Sequence, residues 1–303
     1  MEVTELTGVG QVTYNDKLKP AGFDTIDKIA KSSVDELVDE AGLTEGKAEK
    51  IHQRANREAV ILQTGQDVQD EYDSKSYVET GMEKLDEMLG GGWEEGFLIT
   101  LSGEAGSGKT QVAFNSMVHA VEQTGNPAVY IETEPNRYRP ERLRSLSNDK
   151  ETQQDIYRIK AYDLEKQKLA YEKVREAFDE VSLVVVDSFT ARFRLAEQFD
   201  GRGSLSQRSE EMGAHLRRLE RLCEELGAPV LLTAQVYGNP SGFGAGDAVY
   251  GGSLMQHTVS CFVNMKSSSG NLKEAQLRGH PGQADDEVYV NIGENQLEAM
   301  NNV

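Results

Sequence analysis

Short apolar runs alternate with amphipathic helical patterns from Thr80 to the end of the chain. Runs of four to six apolar residues suit strands that are buried on both faces of a sheet. The predicted strands are FLITLSG (97–103), AVYIET (128–133), SLVVVDS (182–188), APVLLTAQV (228–236), SCFVNMK (260–266) and EVYVNI (287–292). One predicted helix begins near Lys109, and three more cover about 140–147, 163–180 and 205–226. This order predicts an α/β fold in which parallel strands dominate the sheet.

The first 60 residues have a different pattern, which predicts a small all-α domain. Apolar residues recur at helical spacing in two stretches, at Phe23, Ile26, Ile29, Val34, Leu37 and Val38. Residues 61–79 are polar and only weakly periodic, which is typical of a linker. We therefore expect an all-α domain at 1–60, a linker at 61–79 and an α/β core at 80–303.

Composition narrows the class of protein. The chain has 303 residues, of which 38% are hydrophobic and 27% charged, so it is long enough for a substantial core. No run of about 18 uncharged apolar residues occurs, and MEVTELTGVG lacks the basic and apolar regions of a signal peptide. Two cysteines, Cys223 and Cys261, cannot make a disulfide framework or a four-cysteine zinc site. We expect a soluble cytoplasmic protein.

A glycine-rich string after the first predicted strand of the core carries the strongest chemical signal. Its residues fit G-x4-G-K-[ST]: Gly103, Glu104, Ala105, Gly106, Ser107, Gly108, Lys109 and Thr110. Glycines at these positions let backbone N–H groups surround a β-phosphate at the N-terminus of the following helix. Lys109 is expected to reach the β- and γ-phosphates, and the Thr110 hydroxyl to ligate Mg2+.

Three later positions complete the expected nucleotide chemistry. Asp187 ends the apolar run LVVVD, where a carboxylate can hold Mg2+ through water. Glu132 and Glu134 both follow AVYI, and we favour Glu134 over Glu132 as the water-positioning base because it lies further toward the ligand. Gln235, at the end of another predicted strand, is a candidate for sensing the γ-phosphate.

The net charge points away from a broad nucleic-acid-binding face. With 51 acidic and 32 basic residues the chain has a charge of −19, whereas a broad basic face would give the opposite sign. Two interpretations remain open. Either nucleic acid is not a partner, or acidity is a general surface property and any nucleic-acid contacts are local.

Arginine is concentrated in one part of the chain. Of 16 arginines, seven lie within 192–221 against five acidic residues, namely Arg192, Arg194, Arg202, Arg208, Arg217, Arg218 and Arg221. Guanidinium groups beside the flexible Gly201-Arg202-Gly203 suit phosphate backbones, although a solvated helix face is the simpler interpretation. A second glycine-rich stretch, YGNPSGFGAGDAVYGG (237–252), contains Phe243 and two tyrosines that could stack on bases.

These segments together resemble the archaeal RadA recombinases of the RecA superfamily, over nearly the whole chain. The segments that resemble the family, in chain order, are LTGVG, AGFDTIDKIA, AGLTEGKAEKI, TGMEKLDEMLGGG, GEAGSGKTQ, YIETEPNRYRPERL, VVVDSFTARFR, GRGSLSQR, TAQV and YGGSLMQHT. The resemblance implies a helix-hairpin-helix N-terminal domain and a RecA-like ATPase core. It also implies a filament on single-stranded DNA that pairs this strand with a homologous duplex, using ATP and Mg2+.

The resemblance assigns roles to individual residues. The phosphate loop is Gly103 to Thr110 with Gln111 after it, Asp187 is the magnesium aspartate and Glu134 the catalytic glutamate. Further nucleotide roles fall on Arg139, which matches an adenine-stacking arginine despite one additional preceding residue, and on the γ-phosphate-sensing pair Gln235 and His257. GRGSLSQR matches the first DNA loop, which makes Arg202 and Arg208, with Gly201 and Gly203, the expected DNA contacts.

Several departures from the family pattern concern surfaces between protomers. The self-assembly motif Phe-x-x-Ala reads Leu62-Gln-Thr-Gly65, and the segment that caps a neighbour's ATP reads GHPGQADDE (279–287). The family's Asn-Gln is Ala234-Gln235, and the arginine after the histidine falls near Cys261 and Phe262. We therefore expect weakened self-association.

Two hypotheses follow for function. The first is a recombinase of the nucleoid that performs strand exchange in DNA repair. The second is an accessory paralogue that binds ATP and assists another recombinase without pairing strands. A KaiC-like signalling ATPase fits less well, because the helix-hairpin-helix segments and GRGSLSQR point to DNA.

Overall fold

The computed structural model describes residues 3–6, 9–59, 64–147, 149–195, 204–237 and 248–301, in two compact units. The first unit ends at Ser74 and the second begins at Lys75. Leu62, Gly201, Arg202, Gly203 and Phe243, to which the sequence assigns roles, lie outside the described residues.

The described part of the first unit contains helices and no strand. Its helices are α1 (Gln11–Thr13), α2 (Ile26–Lys31), α3 (Val34–Asp39), α4 (Glu45–Ala59) and α5 (Gly65–Asp73), with a 3-10 turn at Val3–Glu5 and a π-type turn at Tyr14–Leu18. Leu18, Ile29, Leu37 and Ile51 are fully buried in one cluster. The α-helical period expected from residues 23–38 therefore produces this core.

The predicted linker contains α5 and the start of the second unit. The backbone N–H of Thr64 donates to Asp67 Oδ2 at 2.8 Å, and the N–H of Asp67 donates to Thr64 Oγ1 at 3.2 Å. This reciprocal cap starts a polar helix that composition alone does not reveal. After it, β1 (Tyr77–Val78) pairs with β2 (Trp93–Glu94), which places the start of the second unit at Lys75, before the expected Thr80.

The second unit contains a large sheet in which nine strands lie side by side and a short tenth strand pairs with one of them. Its strands are β3 (Leu98–Gly103), β4 (Ala128–Glu132), β5 (Ile156–Lys160), β6 (Leu183–Asp187), β7 (Val230–Tyr237), β9 (Cys261–Ser267), β10 (Leu272–Arg278), β11 (Asp286–Ile292) and β12 (Leu297–Met300), with β8 (Ala248–Val249) beside β7. The order is β12-β11-β10-β9-β3-β7-β6-β4-β5. Strands from β9 to β5 in this order are parallel, as predicted, whereas β10, β11 and β12 extend the sheet in antiparallel fashion.

Helices cover both faces of the parallel strands. They are α6 (Glu83–Leu89), α7 (Lys109–Thr124), α8 (Pro140–Leu146), α9 (Lys150–Gln154), α10 (Leu164–Ala177), α11 (Ala191–Leu195), α12 (Ser204–Leu226) and α13 (Gly252–Thr258). On β4, Tyr130 packs into one apolar cluster while Val129 and Ile131 pack into the other. A strand with both faces buried explains the continuous apolar run, and it holds the strand ends rigidly in place.

Candidate functional site

The carboxyl ends of the parallel strands bring the predicted chemistry to one edge of the sheet. Gly103 at the end of β3 is in register with Gln235 on β7, and Asp187 at the end of β6 is in register with Glu132 on β4. Neighbouring strands lie about 4.8 Å apart, so residues in register are close neighbours. Such an edge is where open α/β sheets bind ligands.

The glycine-rich loop needs glycine at its packed ends. Gly103 has φ +150°, and a Cβ there would lie 2.2 Å from the Met265 carbonyl oxygen. Gly108 has φ +97°, and a Cβ there would lie 2.7 Å from Ile292 Cδ1. A Cβ on Gly106 would meet no atom within 4 Å. The loop is thus fixed at both ends and open in the middle, directly before the N-terminus of α7.

The Lys109 ammonium group lies across this loop. It donates hydrogen bonds to the carbonyl oxygens of Gly103 at 2.8 Å and Glu104 at 2.7 Å, and to Ser107 Oγ at 3.2 Å. Burial lowers the pKa of Lys109 to about 8, and Asp187 opposes this shift. The side chain is therefore a nearly buried cation that phosphate oxygens would stabilise strongly.

Asp187 accepts three hydroxyl hydrogen bonds. Thr110 Oγ1 and Tyr130 Oη donate to its Oδ2 at 2.8 Å and 2.6 Å, and Thr233 Oγ1 donates to its Oδ1 at 2.5 Å. Burial and the Asp187 charge both raise the pKa of Tyr130, which keeps its hydroxyl a donor. Tyr130 and Thr233 were not among the residues expected from the sequence. The available signal was a hydroxyl within each apolar strand.

Thr110 and Asp187 fit a magnesium ion. The hydroxyl oxygen and the carboxylate are hard donors, 2.8 Å apart at the mouth of the phosphate loop. Bound there, Mg2+ would neutralise charge that develops on the phosphates during hydrolysis.

The Glu132 carboxylate is occupied by hydrogen bonds and an ion pair within the protein. Its fully buried carboxylate accepts hydrogen bonds from the backbone N–H groups of Arg137 at 2.8 Å and Tyr138 at 2.9 Å, and from Tyr162 Oη at 2.6 Å. Arg158 forms an ion pair with it. Burial alone would raise the pKa of Glu132, but these donors outweigh burial and hold the pKa below its ordinary value. Glu132 therefore fixes the loop that carries Glu134.

Glu134 is the carboxylate with access to the site. Its side chain is 17% exposed and lies 3.4 Å from Arg137 Nη2. Its charge also acts on Lys109, where it opposes the lowering of the pKa by burial. Asn136, in the left-handed region at φ 64°, turns the chain so that the next N–H groups face Glu132. The preference for Glu134 as the base stays a prediction.

Arg142 joins three elements beside the phosphate loop. Its Nε donates to Gln111 Oε1 at 2.6 Å, and its Nη2 donates to the Gly293 carbonyl oxygen at 3.0 Å. The predicted adenine-stacking Arg139 is exposed at the start of α8, and His257 is exposed in the last turn of α13. Arg139 and His257 therefore lie outside these contacts, whereas the half-buried Gln111 takes part in them through Arg142.

Gln235 is held from three sides. Its side-chain oxygen accepts a hydrogen bond from Arg194 Nη1, its N–H donates to Thr190 Oγ1 at 3.3 Å, and its carbonyl oxygen accepts from the Tyr250 N–H at 3.1 Å. The predicted strand ends at Val236, and β7 ends one residue later, at Tyr237, where it pairs with β8. Arg208, a predicted DNA contact, is half-buried, with its guanidinium carbon 6.0 Å from the centre of the Tyr250 ring.

The cysteines, metal-ligating side chains and apolar helices are three further features of the part of the chain that the structure describes. Both cysteines are buried, and burial raises the pKa of the Cys261 thiol to about 12. Within the described ranges, no group of three or more His, Cys, Asp and Glu side chains is arranged to hold a metal ion. None of the described helices has both the length and the apolar composition needed to cross a bilayer.

Comparisons with known proteins gave matches over most of the chain. The Rad51 family model matches residues 74–300. The chain is 33% identical to the DNA repair and recombination protein RadA of Metallosphaera sedula over 306 residues, which cover 96% of this chain and 93% of that protein. It is 30% identical to the RadA of Methanoculleus marisnigri, with 95% of each chain covered, and 32% identical to that of Methanococcus maripaludis, with 96% and 97% covered.

Proposed function

Because the chain belongs to the Rad51 family, we propose that it is an ATP-dependent DNA recombinase of the RadA type. In this proposal it binds single-stranded DNA, hydrolyses ATP and pairs the bound strand with a homologous duplex in DNA repair. The observation that carries the proposal is the convergence of Lys109, Thr110 and Asp187 at the carboxyl edge of the sheet.

The nucleotide chemistry assigns a role to each side of this edge. Lys109 exchanges the carbonyl oxygens of its loop for the β- and γ-phosphate oxygens of ATP, which adds a cation where negative charge develops. Thr110 and Asp187 are the residues that would hold Mg2+. Glu134 accepts a proton from the attacking water and orients it, while Glu132 keeps the loop in place. Gln235 hydrogen-bonds the γ-phosphate, and Gln111, Arg139 and His257 complete the nucleotide site.

The DNA assignment relies on the arginines near the glycine-rich segments. Arg202 and Arg208 contact the phosphate backbone, with Gly201 and Gly203 beside them, and Phe243 stacks on bases. Self-association into a filament on DNA is weakened by the departures at Leu62 and Gly65. The site of action is the cytoplasm, at the nucleoid.

ATP hydrolysis with and without single-stranded DNA tests the proposal. We expect Mg2+-dependent hydrolysis that rises when single-stranded DNA is added, and hydrolysis by Lys109→Ala that is about 10³-fold slower. A wild-type protein that binds ATP but whose hydrolysis does not respond to single-stranded DNA would contradict the DNA-dependent part of the proposal. A wild-type protein that binds no nucleotide would contradict all of it.

A further inference from the structure

Helix α11 is bonded to positions on β7 and directly after β4, the two strands that flank β6. Arg192 Nε donates to the carbonyl oxygen of Thr133 at 2.6 Å, and Thr133 directly precedes Glu134. Arg194 Nη1 donates to Oε1 of Gln235. One short helix, four residues after Asp187, therefore contacts the strand end that carries the proposed base and the proposed γ-phosphate sensor.

The two contacts differ in strength. Thr133 is buried and fixed, because its N–H donates to the Asp187 carbonyl oxygen at 2.9 Å and its Oγ1 donates to the Ser188 carbonyl oxygen at 2.7 Å. Arg194 is exposed and Gln235 half-buried. A hydrogen bond near solvent contributes little net stability, so the bond between Arg194 and Gln235 is the contact that can break when its surroundings change.

Tyr250 joins the same group from the other glycine-rich segment. Its N–H donates to the Gln235 carbonyl oxygen at 3.1 Å, and its hydroxyl donates to the Phe193 carbonyl oxygen of α11 at 3.4 Å. Arg208 packs against the Tyr250 ring. A continuous path of contacts thus runs from the predicted DNA contact Arg208 to Gln235.

We propose that Arg194 is a positioning residue that couples the binding of single-stranded DNA to ATP hydrolysis by controlling the Gln235 amide. The inference rests on the proposed function. When DNA engages Arg208, its contact with Tyr250 changes, and α11 and Gln235 shift together. Arg194 then releases or redirects the Gln235 side-chain oxygen, so the amide is oriented toward the γ-phosphate. DNA and ATP thereby bias the same two arrangements of one residue.

The test compares wild-type protein with Arg194→Ala, Arg194→Lys and the control Arg175→Ala. Arg175 is an exposed arginine that pairs with Glu225 on α12, so its removal changes charge equally. ATP turnover is measured without DNA and at a saturating concentration of an oligothymidylate, and the affinities for ATP and for the oligonucleotide are measured separately. The quantity of interest is the ratio of the two turnover rates.

We expect Arg194→Ala to lower this ratio about 5-fold, at the small end of the usual range for coupling between sites, with both affinities retained. Arg194→Lys keeps a donor without the planar guanidinium, so its ratio should lie between the two, and Arg175→Ala should match wild type.

Three results would overturn the inference without touching the proposed function. They are an unchanged ratio in Arg194→Ala, a joint fall of both affinities, and a fall of DNA affinity with a shallower salt dependence, which would make Arg194 a direct DNA contact. If wild-type hydrolysis does not respond to the oligonucleotide, the proposed function fails first.

Discussion

Two groups of residues at the same sheet edge, named here the phosphate side and the loop side, are built in different ways. The phosphate side comprises Gly103 to Thr110 and Asp187. The side chains of Lys109 and Asp187 are buried, and each forms three hydrogen bonds within the chain. On the loop side, which comprises Arg194, Arg208, Gln235 and Tyr250, the described side chains are half-buried or exposed. The phosphate side is preorganised for charge stabilisation, and the loop side is suited to a change of state.

The largest expected effect is the loss of the phosphate-side cation. Lys109→Ala removes the ammonium that the phosphates would contact, and we expect ATP turnover to fall about 10³-fold, as for loss of one preorganised stabilising group. Steady-state ATP hydrolysis measures this, with Lys166→Ala as a control because Lys166 forms an exposed ion pair with Asp163. Equal turnover by Lys109→Ala and wild type would contradict the claim that the phosphate side is preorganised for charge stabilisation.

Glu132 and Glu134, beside the phosphate side, are expected to have different roles, one in stability and one in catalysis. We expect Glu134→Gln to bind ATP normally and to hydrolyse it about 10²-fold more slowly, since it loses a general base. We expect Glu132→Gln instead to lower the free energy of unfolding by about 2 kcal/mol, because the side chain loses its charge and the acceptor oxygen that faces Tyr162 and Arg158.

Single-turnover hydrolysis and denaturant unfolding of both variants separate these roles. The assignment is wrong if Glu134→Gln hydrolyses ATP at the wild-type rate while a fully stable Glu132→Gln does not. In that case Glu132 becomes the base.

The lowered pKa of Lys109 predicts a pH dependence of ATP binding. Below about pH 8 the lysine is charged with or without nucleotide. Above this pH the free protein loses the proton and phosphate oxygens restore it, so binding takes up as much as one proton and ATP affinity falls up to about tenfold per pH unit. Calorimetry in buffers of different ionisation enthalpy measures the uptake. Lys109→Arg should abolish it, because arginine stays charged. Absence of uptake by wild type at pH 9 would contradict the lowered pKa.

The same shift has a defined sign for stability. The pKa of Lys109 in the folded protein is below its ordinary value of 10.5, so the unfolded chain binds more protons between about pH 8 and 10.5. The contribution of this group to the free energy of unfolding therefore rises with pH through that window and is most unfavourable below it.

The smallest expected effect concerns DNA on the loop side. Arg202→Ala combined with Arg208→Ala should weaken binding of single-stranded DNA several-fold and leave ATP affinity unchanged. The slope of log K against log salt should become shallower by about 0.7 for each DNA phosphate that the variant no longer neutralises. Fluorescence anisotropy over a salt series measures both quantities, with Arg175→Ala as the control. If the affinity and the slope do not change, these arginines do not contact DNA, and the simpler interpretation of a solvated surface applies.

The two sides also differ in how far the sequence predicts them. Lys109, Thr110 and Asp187 follow from local strings, because a strand end and a helix start fix where the side chains lie. Strand β11 follows from the run EVYVNI, but the sequence does not reveal the other two antiparallel strands. β10 is half-exposed and rich in polar residues and β12 has only four residues, so neither has the buried apolar run that identifies β6.

Contacts between distant segments were beyond sequence reasoning. The roles of Arg142, Arg158 and Arg194 depend on partners 31, 26 and 41 residues away in the chain, and no local pattern reveals such pairings. Two carboxylates separated by one residue illustrate the limit: both Glu132 and Glu134 suit a base by position, and only the folded structure shows that the Glu132 carboxylate is hydrogen-bonded within the chain.

Strand exchange between homologous oligonucleotides is the direct test of whether the protein is a recombinase. The protein is incubated with ATP, Mg2+, a single strand and a labelled duplex, and transfer of the labelled strand is measured for homologous and heterologous sequences. We expect transfer that requires both homology and ATP and is absent with Lys109→Ala. Binding of ATP and single-stranded DNA without any homologous transfer would contradict the recombinase assignment and identify the chain as an accessory protein that assists another recombinase.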